Sequence, residues 1–368
     1  MDDYNWRLRL RSRKIKSHNR TATMLAIIML ALAVGSILWY FFIHARSPEY
    51  ALDEIRDAVL SQDAEKFERY VNLDLATGKL YDDVTRDLFT EDTSLTPQTR
   101  AKATSFYQLI KPQVSAGIKT TLLSYTASGE WQLPGGLLRG RQLGIDFENF
   151  LERTQLKNIT PVAIEGVDRD GSTATARIKA KDETTQTELT LLVAMEQSAD
   201  GHWQVAYIKN YRDCLDRLLP LCQRDMNAYI QDSAPIIDQY NKKFDQLQRR
   251  FKQLTTTPWD SSGILPKNQT DSLKNLIKTG IIPTLKERQQ KLSALTVPPG
   301  ARYLSQLRAE STELSITAWE HFLKGLETDA PAEYDTAETV HKEALDVELR
   351  IDDILHHAAI SRQAPALP

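Results

Sequence analysis

Two cysteines, Cys214 and Cys222, stand eight residues apart on either side of Pro220. In one straight helix that spacing puts them ~12 Å apart, beyond the ~7 Å between Cα atoms that a disulfide tolerates. Pro220 can bend or interrupt such a segment. A disulfide between Cys214 and Cys222 and a pair of buried free thiols therefore both stand as expectations. Two cysteines cannot build a disulfide scaffold or a four-thiolate metal site. Asp168-Arg169-Asp170-Gly171 has the opening of a calcium loop but not its later ligands or closing Glu, and it reads as a hairpin turn. His356 and His357 are adjacent, so on a helix they point about 100° apart. No partner cluster accompanies them, and they read as surface residues. Gly-rich phosphate and dinucleotide loops, the G-x-S-x-G elbow and the H-E-x-x-H zinc motif are all missing from the sequence. The sequence thus nominates no catalytic residue, no cofactor-binding residue and no metal ligand. Trp131, Trp203 and Tyr207 are the aromatic candidates for lining a pocket, with core or rim packing as the competing fate.

The elements that would position these residues change period along the chain. Ser47-Pro48 is a helix start, with Ser47 as cap and Pro48 in the first turn. Leu52, Ile55 and Val59 follow on one face. Asp63 is a second cap, ahead of Phe67, Tyr70 and Val71. Leu80, Val84 and Leu88 suggest a third helix, and residues 97–124 a fourth, kinked before Pro112. After residue 158 the apolar period becomes two. Val162 and Ile164, then Ala174 to Ala180, then Leu189 to Met195, then Trp203, Val205 and Tyr207 each alternate with polar neighbours. One apolar and one polar face is the pattern of an antiparallel sheet covered by helices on one side.

This order of residues resembles the nuclear transport factor 2-like superfamily. The resemblance rests on Ser47-Pro-Glu-Tyr-Ala-Leu-Asp-Glu-Ile, Asp63-Ala-Glu-Lys-Phe-Glu-Arg-Tyr-Val, and four strands ending in Gly201-His-Trp-Gln-Val-Ala-Tyr-Ile. It covers roughly residues 47–210 and is similar to a bacterial membrane-anchored family of unknown function. The resemblance implies a curved sheet wrapped around helices into a cone, sometimes with a ligand or an acid–base residue inside. The inward candidates here are Ala, Ile, Leu, Val and Met, which favour a packed core. Residues 92–157 read as a segment inserted between helices and sheet.

From Tyr211 onward the period of two is lost. Apolar stripes of helical spacing run over about 212–254, 268–294, 299–328 and 331–361. Pro258 to Pro266, Pro298-Pro299-Gly300 and Asp329-Ala330-Pro331 punctuate them. Stripes of that kind pack as an antiparallel helical bundle.

Composition sets the remaining limits. The 368-residue chain has a net charge of −3, with 26% charged and 41% hydrophobic residues, which excludes bulk disorder. Residues 1–20 hold seven Lys and Arg against two Asp, and residues 21–43 carry no charge. The uncharged run would be about 34 Å long as a helix, enough for a ~30 Å hydrocarbon core. Trp39 to Phe42 occupy the place where a cleaved signal needs small residues. The expected architecture is therefore α+β. It comprises a basic cytoplasmic segment (1–20), a single N-terminal transmembrane helix (21–45), a cone-like α+β domain (47–210) and an all-α bundle (211–362). The expected location is the inner or plasma membrane, single-pass, N-terminus inside. Partners would be the lipid bilayer through residues 21–45 and a protein outside the cytoplasm, with no nucleic acid. The expected function is a tethered, non-enzymatic binding or assembly module of the bacterial envelope. A small-molecule or lipid sensor using the cone, and a divergent enzyme on the same scaffold, are the alternatives.

Overall fold

The computed structural model describes residues 24–25, 27–35, 46–86, 95–132, 146–256 and 266–363. The first five labelled helices are each set by a polar side chain at the N-cap, which satisfies an otherwise orphaned backbone N–H. Ser47 Oγ accepts from Tyr50 N (3.1 Å) at the start of α1, Pro48–Leu60. Asp63 caps α2, Ala64–Tyr70, through Lys66 N (2.9 Å), and Asn72 caps α3, Leu73–Thr85, through Leu75 N (3.2 Å). Thr96 caps α4, Pro97–Ser128, which runs through Pro112 and ends at Gly129 in the left-handed conformation (φ 75°). Asp146 caps α5, Phe147–Arg153.

Four strands follow as an antiparallel meander in the order β1-β2-β3-β4. They are β1, Ile159–Asp170; β2, Thr173–Asp182; β3, Glu188–Gln197; and β4, Trp203–Ile208. Gly171 (φ 59°) turns β1 into β2, and Gly201 (φ 85°) lies in the turn before β4. The two edges differ. Val71, just past α2, bridges Val205 in β4, and Asn72 N bonds Val205 O at 2.8 Å, so helices shield that side. At the other edge, β1 pairs only with β2 among the described residues.

Two departures from strict alternation matter. β1 slips register between Pro161 and Ala163 and between Ile164 and Gly166, so it carries two bulges. Val162 and Ile164 are exposed (60% and 43%), not core as their alternation suggested. In β4 the register steps from Ala194↔Tyr207 to Met195↔Val205, which leaves Ala206 as an extra residue. An extra residue turns the following side chain to the opposite face. Trp203, Val205 and Ile208 consequently pack on the inner core, and Tyr207 does not join them.

The covered face of the sheet forms one apolar core. Ala174, Ala176, Ala180, Leu189, Leu191, Val193, Met195 and Trp203 pack against Ala51 and Leu52 of α1. A second core lies among the helices, with Tyr81, Val84, Val114, Ile118, Phe147, Phe150 and Leu151. Helix α6, Tyr211–Thr255, serves both, through Cys214 and Leu218 in the first and Tyr211 and Leu215 in the second.

Helix α6 then continues through Pro220 and Pro235 into the all-helical part. There α7, Lys267–Leu276, passes through a π-turn, Ile277–Ile281, into α8, Ile282–Ser293. A 3₁₀ turn, Pro299–Ala301, leads to α9, Arg302–Thr328, and then to α10, Pro331–Gln363. Asp329 (φ 53°) ends α9 in the left-handed region. The protein is thus mostly helical, with one small antiparallel sheet.

One expectation is overturned here. Among the described residues no helix is long and apolar enough to cross a membrane. Within 21–45 the described helical residues are Met24, Leu25 and 27–35, and the rest of the run lies outside the described residues. The single-pass transmembrane architecture, its membrane localisation and its lipid-anchored topology are corrected accordingly.

Candidate functional site

The five residues singled out by sequence do not converge. Trp203 is 1% exposed on the inner face of β4. Its indole Nε1 donates to Arg46 O at 3.0 Å, and the Arg169 guanidinium sits 5.1 Å from the ring centroid. Trp131 lies beyond the end of α4, stacked on Tyr125 at 4.3 Å between centroids, against the other core. Tyr207 is turned away by the Ala206 bulge. Trp203 and Trp131 pack in different cores, and Tyr207 joins neither.

Cys214 and Cys222 are free thiols. Pro220 does not break α6, which keeps the two cysteines ~12 Å apart along its axis. Burial pushes the Cys214 thiol up, and Arg217 pulls the other way. Burial, with Asp182 and Asp225 nearby, pushes the Cys222 thiol up to about 12. Neither is an activated thiolate, since low thiol pKa needs cationic neighbours to dominate. Cys222 instead marks a joint: a Cβ on Gly300 would sit 2.8 Å from its Cα. Gly300 N bonds Asp225 Oδ2 at 3.2 Å beside it.

Buried carboxylates exist that sequence reading missed. Asp83 and Asp182 are 1% and 0% exposed. Asp83 Oδ1 takes Lys79 Nζ at 2.6 Å. Asp182 Oδ2 accepts from Thr185 N (2.6 Å) and Thr185 Oγ1 (2.7 Å), closing the β2–β3 loop. Each keeps one oxygen without a partner, Asp83 Oδ2 and Asp182 Oδ1. A carboxylate at the end of a strand reads in sequence as a turn residue, and no pattern distinguishes one that is buried. Tyr211, whose hydroxyl donates to Thr154 O, lies close by and is pushed up by burial.

Two open clefts border the cores, and Leu189 and Cys214 of the sheet core line the first. One cleft of about 500 Å³ sits where the sheet meets α6, among Lys179, Glu188, Asn210, Asp213 and Arg217. Its charges answer one another, with Lys179 Nζ 2.9 Å from Glu188 Oε2. Asn210 is committed to the sheet, its Oδ1 accepting from Leu192 N and its Nδ2 donating to Thr190 O, both at 2.8 Å. A second groove of about 460 Å³ runs between α3 and α4 beside Gly78, Lys111 and Lys119. Both lysines are held by carboxylates, Lys111 by Asp82 at 2.7 Å and Lys119 by Glu68 at 2.8 Å. Among the described residues no group of three or more His, Cys, Asp or Glu could hold a metal ion. His356 is an exposed residue of α10, and the side chain of His357 lies outside the described residues.

No family model, curated protein or solved structure matches this chain.

Proposed function

We propose that the chain is a non-enzymatic binding or assembly module that engages a protein partner through its surface. The observation that carries this reading is a contrast within the sheet. Its covered face is filled by Ala176, Ala180, Leu191, Met195 and Trp203, leaving no wall of polar groups for a substrate. Its open edge strand meanwhile exposes Val162 and Ile164. A pocket for chemistry needs a few convergent polar groups in an apolar cavity, whereas a partner surface needs exposed apolar anchors. Further anchors stand on α4, where Leu109 is 73% exposed, and on α10, where Leu349 is 68% exposed. Direct strand addition at β1 is disfavoured by Pro161, which lacks an N–H, and by the two bulges. Contact there would be made by side chains. The capped helices leading into a four-strand meander support the nuclear transport factor 2-like resemblance as part of this proposal.

The test is a photo-crosslinking side chain placed at Ile164, Leu109 or Leu349, with Glu196 as a polar surface control. The expected result is one saturable protein adduct from an apolar position and none from Glu196. Equal labelling at every position, or none at any, overturns the reading.

A further inference from the structure

The bundle contains two separate apolar cores, and the layer between them is polar. Tyr229, Leu304, Leu307, Val347 and Ile351 form one core. Leu273, Leu276, Ile277, Ile281 and Leu285 form the other, with Phe244 and Trp319 against it. Between these levels α6 offers Ser233, α8 offers Arg288, α9 offers Arg308, Ser311 and Thr312, and α10 offers Glu348. Ser233, Ser311 and Thr312 are fully buried, and Arg308 is 9% exposed.

The two arginines meet around one turn of α9. Arg288 Nη2 donates to Thr312 Oγ1 at 3.0 Å, and Thr312 Oγ1 in turn donates to Arg308 O one turn earlier at 2.8 Å. Arg308 Nη1 donates to Ser233 Oγ at 2.6 Å. Each lies over an aromatic ring, Arg288 at 5.2 Å from Phe244 and Arg308 at 5.2 Å from Tyr229. Neither makes an ion pair within 4 Å among the described residues. A carboxylate of the layer, Glu348, accepts from Ser311. Two donors point at nothing: Arg288 Nε and the Tyr229 hydroxyl are buried without a hydrogen-bond partner. Burial and the neighbouring Arg308 both act against the charge on Arg288, with Glu348 supporting it.

An arginine cannot shed its proton to escape such a site, and an uncompensated buried charge is costly. Two fixed cations, the Glu348 carboxylate and two idle donors leave the layer short of one negative, oxygen-rich group. We propose that this layer binds a small oxyanion, phosphate or carboxylate, between Arg288 and Arg308, with Arg288 Nε and the Tyr229 hydroxyl as additional donors. Planar guanidinium forks match the oxygens of either group.

The inference is independent of the surface-binding function. Its test uses the full chain in thermal unfolding and titration calorimetry with inorganic phosphate, sulfate and acetate, each against sodium chloride at matched ionic strength. At least one oxyanion raises Tm above the chloride control and binds with a measurable Kd. Arg288→Gln weakens that binding tenfold or more. Arg288 is partly buried rather than fully enclosed, and this variant is expected to fold. Arg288→Lys, which keeps the charge and loses the fork, recovers only part of the affinity. Phosphate against acetate identifies which oxyanion the layer takes. Identical Tm values in all four salts, or equal stabilisation of the wild type and Arg288→Gln, overturn the proposal.

Discussion

Arg350 ties the helical part of the molecule to the part that carries the sheet, and its removal is the sharpest test of how they are joined. It lies in α10 with a side chain 6% exposed. Its guanidinium Nε sits 3.3 Å from Asp146 Oδ2, and its other end pairs with Glu148 and donates to the Tyr303 hydroxyl. Asp146 is the cap of α5, and Glu148 is in its first turn, so one cation neutralises two carboxylates on a helix 204 positions away. Truncation to Met leaves both carboxylates facing each other with 16% and 21% exposure. Breaking a buried pair from one side costs about 3–5 kcal/mol. Partial access to water puts Arg350→Met near the lower end, about 3 kcal/mol. In a chain of this size that is a fall in Tm of about 4 °C. Hydrogen exchange should rise in residues 147–153 and 346–354 before it rises in the sheet. Combining Arg350→Met with Asp146→Asn and Glu148→Gln removes the stranded charges while keeping the Asp146 cap geometry, and most of the loss should return. A loss below about 1 kcal/mol would fall in the range of a surface pair and refute the argument. So would a triple variant no more stable than the single one.

Three further outcomes follow from local geometry. A Cβ at Gly300 would meet Cys222 backbone at 2.8 and 2.9 Å, whereas one at Gly78 in α3 meets only Lys111 Cε at 3.8 Å. Gly300→Ala should therefore lose about 1–3 kcal/mol by overpacking, and Gly78→Ala should gain about 0.5–1 kcal/mol from helix propensity, both read from urea midpoints. Burial alone would raise the Glu54 carboxyl, but the hydrogen bonds from Lys66 and Tyr50 and the charge of Lys66 overcome it and hold the group below 4.5. A depressed folded value means the contribution is complete above pH 4.5 and disappears as pH falls below it. Glu54→Gln should thus narrow the stability difference between pH 6 and pH 3.5 by about 0.5–1 kcal/mol, and an unchanged difference would count against the pairing. With Cys222 raised to about 12 by burial and its neighbouring carboxylates, the native protein should react slowly with Ellman's reagent at pH 8. Denaturation without reductant should release two thiols, and a count of zero would mean that α6 is broken at Pro220.

Features that depend on a few neighbouring residues were legible in the sequence. Ser47 and Asp63 cap where their types and following residues say they should, because a cap is a contact within one turn. Pro298-Pro299-Gly300 and Asp329-Ala330-Pro331 likewise fall between helices, since a missing N–H or a left-handed residue acts locally. Pro220 misleads for the same reason. Its local preference is to interrupt, yet Leu215 and Leu218 before it and Tyr229 after it anchor α6 in successive cores. Packing on both sides outweighs a local cost of about 3 kcal/mol. Register is the next level of difficulty. Val162 and Ile164 alternate like core residues, but the slips against β2 decide which face they take. One extra residue, Ala206, withdraws Tyr207 from the face that Trp203 occupies.

The chemistry of the polar groups was the least legible part. In sequence Asp146 falls in the segment 92–157 that reads as an insertion, Arg350 is one charge among several on the last helical stretch, and Arg308 is a charge within the stretch 299–328. Only the fold makes the first two partners and leaves the third without a carboxylate. A charge pattern along one helix records what that helix shows to its own turns. It carries no trace of which opposite charge the packing will deliver, so the residues on which the joint and the polar layer depend are those a linear reading assigns to the surface.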